Sequence, residues 1–317
     1  MFDLHYDLLT QVYINRENTK YLKEDFKKVY NEKNITGGIF NLFYMSPEEM
    51  KEELNINLDE INIIENLKLV KDLINKYQLI PERTKYITGI EGLDYLNNIE
   101  ELDELYKLGV RSVNIVWNND NKFGGGSKGK KTNGLTNLGE NLVKELVDKR
   151  IAIDLSHSNE KTFYDIVNLC KELKRKGKQP IVFASHSNIK ELCNVPRNLN
   201  DNQIKEIAKL EGVIGIVGVK QFCIKENLFN NNKTKYYKAY VEHIKHLKKL
   251  LGGVDNIAIS TDDMTYYGTE YYKNFNVFKQ ENIKIELERL LLKNEFTKNE
   301  IEKILHKNFE KKVLEKM

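Results

Sequence analysis

Cysteine is scarce in this chain of 317 residues: Cys170, Cys193 and Cys223 are the whole set. An odd, unpaired set excludes a disulfide framework, and without a CxxC pair a thiolate zinc site is excluded as well. Proline occurs four times and no Ser/Pro-rich linker interrupts the chain, so no internal boundary is read and residues 1–317 are expected to form one domain. No apolar run approaches the roughly 20 residues that a membrane span needs. Lys plus Arg number 50 against 47 Asp plus Glu. A surplus of three lacks the concentrated basic stripe of a dedicated nucleic-acid binder. No leader is read before Phe2-Asp3-Leu4-His5, so a cytoplasmic location is expected.

What is present is an alternation. Eight short apolar or β-branched runs occur, at Phe2–Leu8, Ile35–Tyr44, Tyr86–Glu91, Ser112–Trp117, Ile151–His157, Pro180–His186, Val213–Val217 and Ile257–Asp262. Between them lie stretches of helical spacing, such as Leu142, Val143, Leu146 and Val147, or Ile166, Val167 and Cys170. Strand–helix alternation predicts parallel βαβ units, and eight strands are the number that closes an α/β barrel, the (β/α)8 TIM barrel. An open doubly wound sheet is the alternative. The apolar positions Ile283, Leu287, Leu290 and Leu291, then Ile301, Ile304 and Leu305, predict C-terminal helices packed on the outside of the barrel. Phe123–Thr136, FGGGSKGKKTNGLT, reads as a mobile loop after the fourth strand. Its segment Gly124–Lys130 fits G-x-G-x-x-G literally. Lys131 stands where a P-loop needs Ser or Thr, and the next helix starts near Thr136, too late to cradle a phosphate, so a mobile rim loop is preferred.

The chemistry lies at the ends of the runs. His5 and Asp7 are two apart, a spacing that projects both from one face of a strand. The third run ends in Glu91, the fifth in His157, the sixth in His186 and the eighth in Asp262. Barrel active sites are assembled from the C-terminal ends of several strands. His243 and His246, at i, i+3 in a Lys-rich context, read as a solvated helix face, and His306 lies in a similar context. Imidazole mixed with carboxylate suits zinc or a similar ion. Five such ligands, His5, Asp7, Glu91, His157 and His186, make up the composition of a two-metal site, with Glu91 able to give one oxygen to each ion. A hydroxide bridging the two ions would then be the nucleophile. Asp262 is left over as general base.

These motifs, in this order, resemble the membrane or renal dipeptidase family of metallopeptidases (peptidase M19) in the amidohydrolase superfamily. Asp3-Leu4-His5-Tyr6-Asp7 is similar to the family's DxHxD, Gly89-Ile90-Glu91-Gly92 to GxEG, Ile153–His157 to IDLSH and Phe183–Ser187 to FSHS with one extra residue. Gly134–Gly139 is similar to GLTxxG, Arg197-Asn198 to RN, and Ser260–Asp263 to the start of GSDFDG. The resemblance covers almost the whole chain. It implies a zinc-dependent dipeptidase with two Zn2+ per chain, one on His5 and Asp7, one on His157 and His186, bridged by Glu91. It further implies acid–base work by Asp262 and a grip by Arg197 on the substrate's C-terminal carboxylate, which suits a guanidinium fork.

Departures exist. The fourth run carries Trp117 where better-known members have a substrate-contacting histidine, so Trp117 is expected to be a pocket wall. GSDFDG has become STDDMT. The expected partner is a small peptide, with no nucleic acid and no membrane, and a second copy of the chain is left open. Two alternatives remain: a binuclear hydrolase of another small amide or lactone, and a catalytically weak relative that binds metal or peptide.

Overall fold

The computed structural model describes residues 1–33, 35–44, 51, 61–225, 233–263, 275–278 and 283–317. Eight strands lie where the eight runs predict them: β1 Phe2–Tyr6, β2 Gly37–Phe43, β3 Lys85–Glu91, β4 Val110–Asn114, β5 Ala152–Asp154, β6 Val182–Phe183, β7 Ile214–Val217 and β8 Ile257–Ser260. β1 to β6 form a parallel sheet in sequence order, and β7 pairs parallel with β8. The ladder from β2 to β3 runs without a break from Gly37 opposite Lys85 to Phe43 opposite Glu91. That register sets Glu91 at the last rung.

Two seams close the curled sheet into a barrel. At the first, Ala184 donates to Val213 O at 3.0 Å and accepts from Gly215 N at 2.8 Å, which ties β6 to β7. Gly215 is required there, since a Cβ would stand 1.7 Å from Ser185 O. At the second seam Asp262 N donates to His5 O at 3.0 Å and joins the end of β8 to β1. Because β8 meets β1, the open doubly wound alternative is ruled out.

Two layers of core hold the barrel. Leu4 and Phe2 of β1 meet Ile39 of β2, Ala152 of β5, Phe183 of β6 and Ala258 of β8. Contact between residues of opposite strands is available only through the barrel's interior. The larger core lies between strands and surrounding helices, where Leu142, Val143 and Leu146 of helix Asn137–Asp148 and Ile166, Val167 and Cys170 of helix Glu160–Arg175 are buried as their spacing predicts. Asn159 starts the second of these helices by accepting from Thr162 N at 2.8 Å.

The C-terminal helices depart in part from expectation. Ile283, Leu287, Leu291, Ile301, Ile304 and Leu305 do pack in the outer layer. Phe309 and Val313 instead enter the inner core and plug the barrel's N-terminal end, with Phe309 edge-on to Phe2 at 6.4 Å and to Phe183 at 6.3 Å. β4 also stops at Asn114, so Trp117 lies beyond the strand rather than at its end.

Candidate metal centre

The five side chains expected to bind metal converge at the C-terminal end of the strands. Glu91 stands among them. Its Oε1 lies 2.7 Å from His157 Nε2 and 3.3 Å from His186 Nε2, while its Oε2 lies 3.1 Å from His5 Nε2. His5 Nε2 is 3.3 Å from Asp7 Oδ1. Asp7 is not a strand residue as its spacing suggested: β1 ends at Tyr6, and Asp7 sits at the start of helix Leu8–Ile14. All five are buried.

Three features show that the residues fit divalent cations. Both carboxylate oxygens of Asp7 are buried and make no hydrogen bond. Buried polar atoms are ordinarily paired, so an orphaned carboxylate awaits a cation. Second, the Nε2 atoms of His157 and His186 face each other at 2.9 Å, beside Glu91 Oε1. Third, His5, Asp7 and Glu91 offer ligand atoms within 4.8 Å of one another, as do Glu91, His157 and His186, and also His5, His186 and Asp262.

Charge follows the same geometry. Burial raises Asp7 to about 6 and Asp262 to about 8, the latter with added repulsion from Asp7 and Glu91. Burial lowers His157 to about 3, helped by the Arg197 charge, and drives His186 well below its usual value. Burial would lower His5 too, but Glu91 and Asp7 outweigh it and raise it well above the ordinary range. Burial would likewise raise Glu91, yet the three histidines hold it well below the carboxylate range.

His157 and Asp262 both have left-handed backbones, with φ of 71° and 47°. Such conformations cost energy in non-glycine residues and concentrate at functional sites. Gly92, at φ 85°, makes the turn after Glu91, where a Cβ would meet Asp94 and Trp117. Trp117 stacks on His157 at 5.8 Å and packs on Phe43 at 4.9 Å, so it walls the site. Arg197 is buried, not a surface residue. It donates to His186 O at 3.4 Å, lies 5.3 Å over Phe222, and lines a small cavity with His157, Ser158 and Ser187. A far larger cavity, about 700 Å³, opens at the opposite end around Phe2, Thr36 and Lys85, remote from these ligands.

Other expectations are corrected. Phe123–Thr136 is laced down where mobility was expected. Asp120 accepts from Gly126 N, Lys130 N and Asn133 Nδ2, and Asn159 Nδ2 donates to Lys130 O and Asn133 O. Ser127 N reaches His157 O at 2.7 Å, so the loop is fastened to the site itself. His243 is not on a solvated face. It is fully buried, accepting from Ile189 N at 3.1 Å and bonding Cys223 O at 3.0 Å. His246 is half-buried and pairs with Asp201 at 2.6 Å. Asp263 is buried against Lys33, whose Nζ also donates to Tyr6 Oη at 2.9 Å.

Sequence reasoning missed the residues behind the five expected ligands. Asp154 Oδ1 accepts from Ser156 N at 3.0 Å and Ser185 N at 2.9 Å, and its Oδ2 accepts the Ser185 hydroxyl. Asn118 Oδ1 holds His157 Nδ1 at 3.0 Å. Asp3 Oδ1 accepts from His5 N and Thr261 N. The signal for Asp3 and Asp154 was an acid two or three residues before a histidine of the site, in Asp3-Leu4-His5 and Asp154-Leu155-Ser156-His157.

A closed parallel barrel with imidazoles and carboxylates gathered at its strand ends defines a barrel protein equipped to hold divalent cations. The family model for membrane dipeptidase (peptidase family M19) matches residues 1–317, and the chain belongs to that family, a family of metallopeptidases. The chain is similar to an uncharacterized protein of the PQQ-III 3′ region in Acinetobacter calcoaceticus, 37% identical over 137 residues, 41% of each chain. It also resembles one of the pqqA 5′ region in Klebsiella pneumoniae, 32% identical over 183 residues, 56% of this chain and 63% of that one. The matches thus span about half the length of these curated relatives. Among solved structures, a metallo peptidase from Rhodobacter sphaeroides, liganded with a phosphinate mimic of L-Ala-D-Ala, aligns with a TM-score of 0.78 at 19% identity, covering 100% of this chain and 99% of that one. That likeness bears on the fold.

Proposed function

We propose that the protein is a dipeptidase that works with two zinc ions, one held by His5 and Asp7, the other by His157 and His186, with Glu91 between them. The observation that carries the reading is the split of Glu91, one oxygen toward His5 and the other toward His157 and His186. When bound, a zinc pair supplies a water acidified to about pKa 7 and an electrophile for the scissile carbonyl. Burial raises Asp262 to about 8 in the metal-free centre; beside bound cations that value would fall, leaving a carboxylate able to take a proton and return it to the leaving amine. Arg197, cationic at the edge of the site, binds the substrate's free carboxylate, and Trp117 excludes water along one wall. The retained Arg197 favours a substrate with a free C-terminus over another amide or a lactone. Residues 1–317 act as one hydrolase domain. No helix among the described residues is long and apolar enough to cross a membrane. The three buried free cysteines accord with the reducing cytoplasm.

The test is metal content and dipeptide hydrolysis in Glu91→Ala. Both metals and all turnover should be lost. A variant that keeps one metal at full occupancy would show that Glu91 bridges nothing.

A further inference from the structure

Ser185 lies between two imidazoles assigned above to different metal ions. Its Oγ is 2.6 Å from His186 Nδ1 and 3.2 Å from His5 Nδ1. The two rings are close, with centroids 3.9 Å apart. A serine hydroxyl has one proton to give and two lone pairs to receive with. The proton is committed, because Ser185 Oγ donates to Asp154 Oδ2. Asp154 cannot turn away, since its other oxygen is fixed by the backbone amides of Ser156 and Ser185. Only the two lone pairs remain for the histidines. Each histidine must therefore donate to Ser185 through Nδ1–H, so in the neutral ring that a metal ion requires, Nε2 is the nitrogen left with the lone pair. Those two Nε2 atoms are the ones aimed at Glu91. His157 reaches the same state separately, with Nδ1 on Asn118 Oδ1.

We infer that Ser185, clamped by Asp154, is a positioning residue that fixes the Nδ1–H form of His5 and His186 together and so prepares one ligand of each metal ion with a single hydroxyl. The inference rests on the ligand assignment proposed above. Partners of this kind set ring orientation and tautomer in metal sites, and their loss typically weakens metal affinity by about 10–100-fold. The arrangement makes an asymmetric prediction for Asp154→Asn. The amide nitrogen would take the place of Oδ2 and donate to Ser185 Oγ. The serine proton would then have to go to one imidazole Nδ1, and that ring would carry its proton on Nε2, where a metal ion should bind.

The experiment is zinc titration of the purified full chain against a competing chelator, with folding of each metal-free variant followed by circular dichroism. Wild type should bind two ions. Ser185→Ala should weaken both by about 10–100-fold, Ser185→Thr should restore both, and Asp154→Asn should weaken one far more than the other. Two ions bound to Ser185→Ala at wild-type affinity would overturn the inference while leaving the dipeptidase reading intact. Failure of wild type to bind zinc would overturn both. Should Ser185→Ala not fold, ¹⁵N-histidine spectra of the zinc-loaded wild type decide: Nδ1–H on His5 and His186 supports the inference, and Nε2–H on either overturns it.

Discussion

Two strand junctions of the barrel, β5–β6 within the sheet and β8–β1 at its closure, are fastened by the same device and put it to different use. At β5–β6, Asp154 accepts from the amide two residues ahead, from Ser185 N across the junction and from the Ser185 hydroxyl. At β8–β1, Asp3 accepts from His5 N two residues ahead, from Thr261 N across the seam and from the Thr261 hydroxyl. In both, the hydroxyl-bearing residue immediately precedes a residue of the proposed centre, His186 in one and Asp262 in the other. The clamps differ in what the hydroxyl meets besides its carboxylate. Ser185 Oγ faces two imidazoles, whereas Thr261 Oγ1 has the backbone carbonyl of His5 at 3.5 Å. One clamp therefore reaches two of the proposed ligands, while the other only aligns the chain. The titrating groups divide in the same way. Near the β8–β1 seam Asp7 and Asp262 are raised to about 6 and about 8, while His157 and His186, following β5 and β6, are depressed out of the physiological range.

The largest expected effect falls on the β8–β1 side. Asp262→Asn should keep both metals and lower kcat by about 10²–10⁴-fold, the usual contribution of a general acid–base group. Asp263→Asn is the companion variant. Asp263 is buried against Lys33, and removing one member of a buried pair costs about 3–5 kcal/mol. Its expected signature is a lowered midpoint of unfolding with kcat per folded molecule retained. Loss of kcat in Asp263→Asn and not in Asp262→Asn would exchange their roles.

An intermediate effect is expected from pH. In the metal-free centre Asp7 and Asp262 hold protons below about 6 and about 8, His5 holds one well above the ordinary imidazole range, and a bound cation must expel them. Zinc affinity should therefore rise with pH from 5 to 8, and below pH 6 Asp7 alone should cost about a factor of ten per pH unit. His157, at about 3, is neutral throughout that window and contributes no slope. Calorimetry of zinc binding across the range checks this, and a flat profile would erase the electrostatic difference between the junctions.

The smallest effect distinguishes the clamps most cleanly. Thr261→Val removes the hydroxyl donated to Asp3 and should lower stability by about 1–2 kcal/mol, with zinc affinity unchanged. Chemical denaturation and zinc titration of the same sample measure both. A large loss of metal in Thr261→Val would show that the two clamps are equivalent after all.

Much of the architecture was legible because it rests on local pattern. Eight apolar runs separated by helical spacing define eight strands and their order, and the helix faces led by Leu142 and Ile166 are buried where a 3.6-residue period puts them. Ionisable residues ending otherwise apolar runs could be read the same way, since only the rim of a barrel tolerates them. Tertiary structure decided what depends on partners distant in sequence. Ser185 serves His5 from 180 positions away. Lys33 reaches Asp263 across 230 positions, so nothing beside Asp263 announced its partner. The Phe123–Thr136 segment is rich in glycine, a composition that suggests mobility, and it is fastened by Asp120 and Asn159, which composition does not reveal. His243 looked solvated among lysines and is buried because Ile189 N and Cys223 O need a partner there. Periodicity is written residue by residue along the chain. Hydrogen-bond partners and buried charges are set by which strand ends the closed barrel brings within 3 Å or so of each other, and that distance exists only after folding.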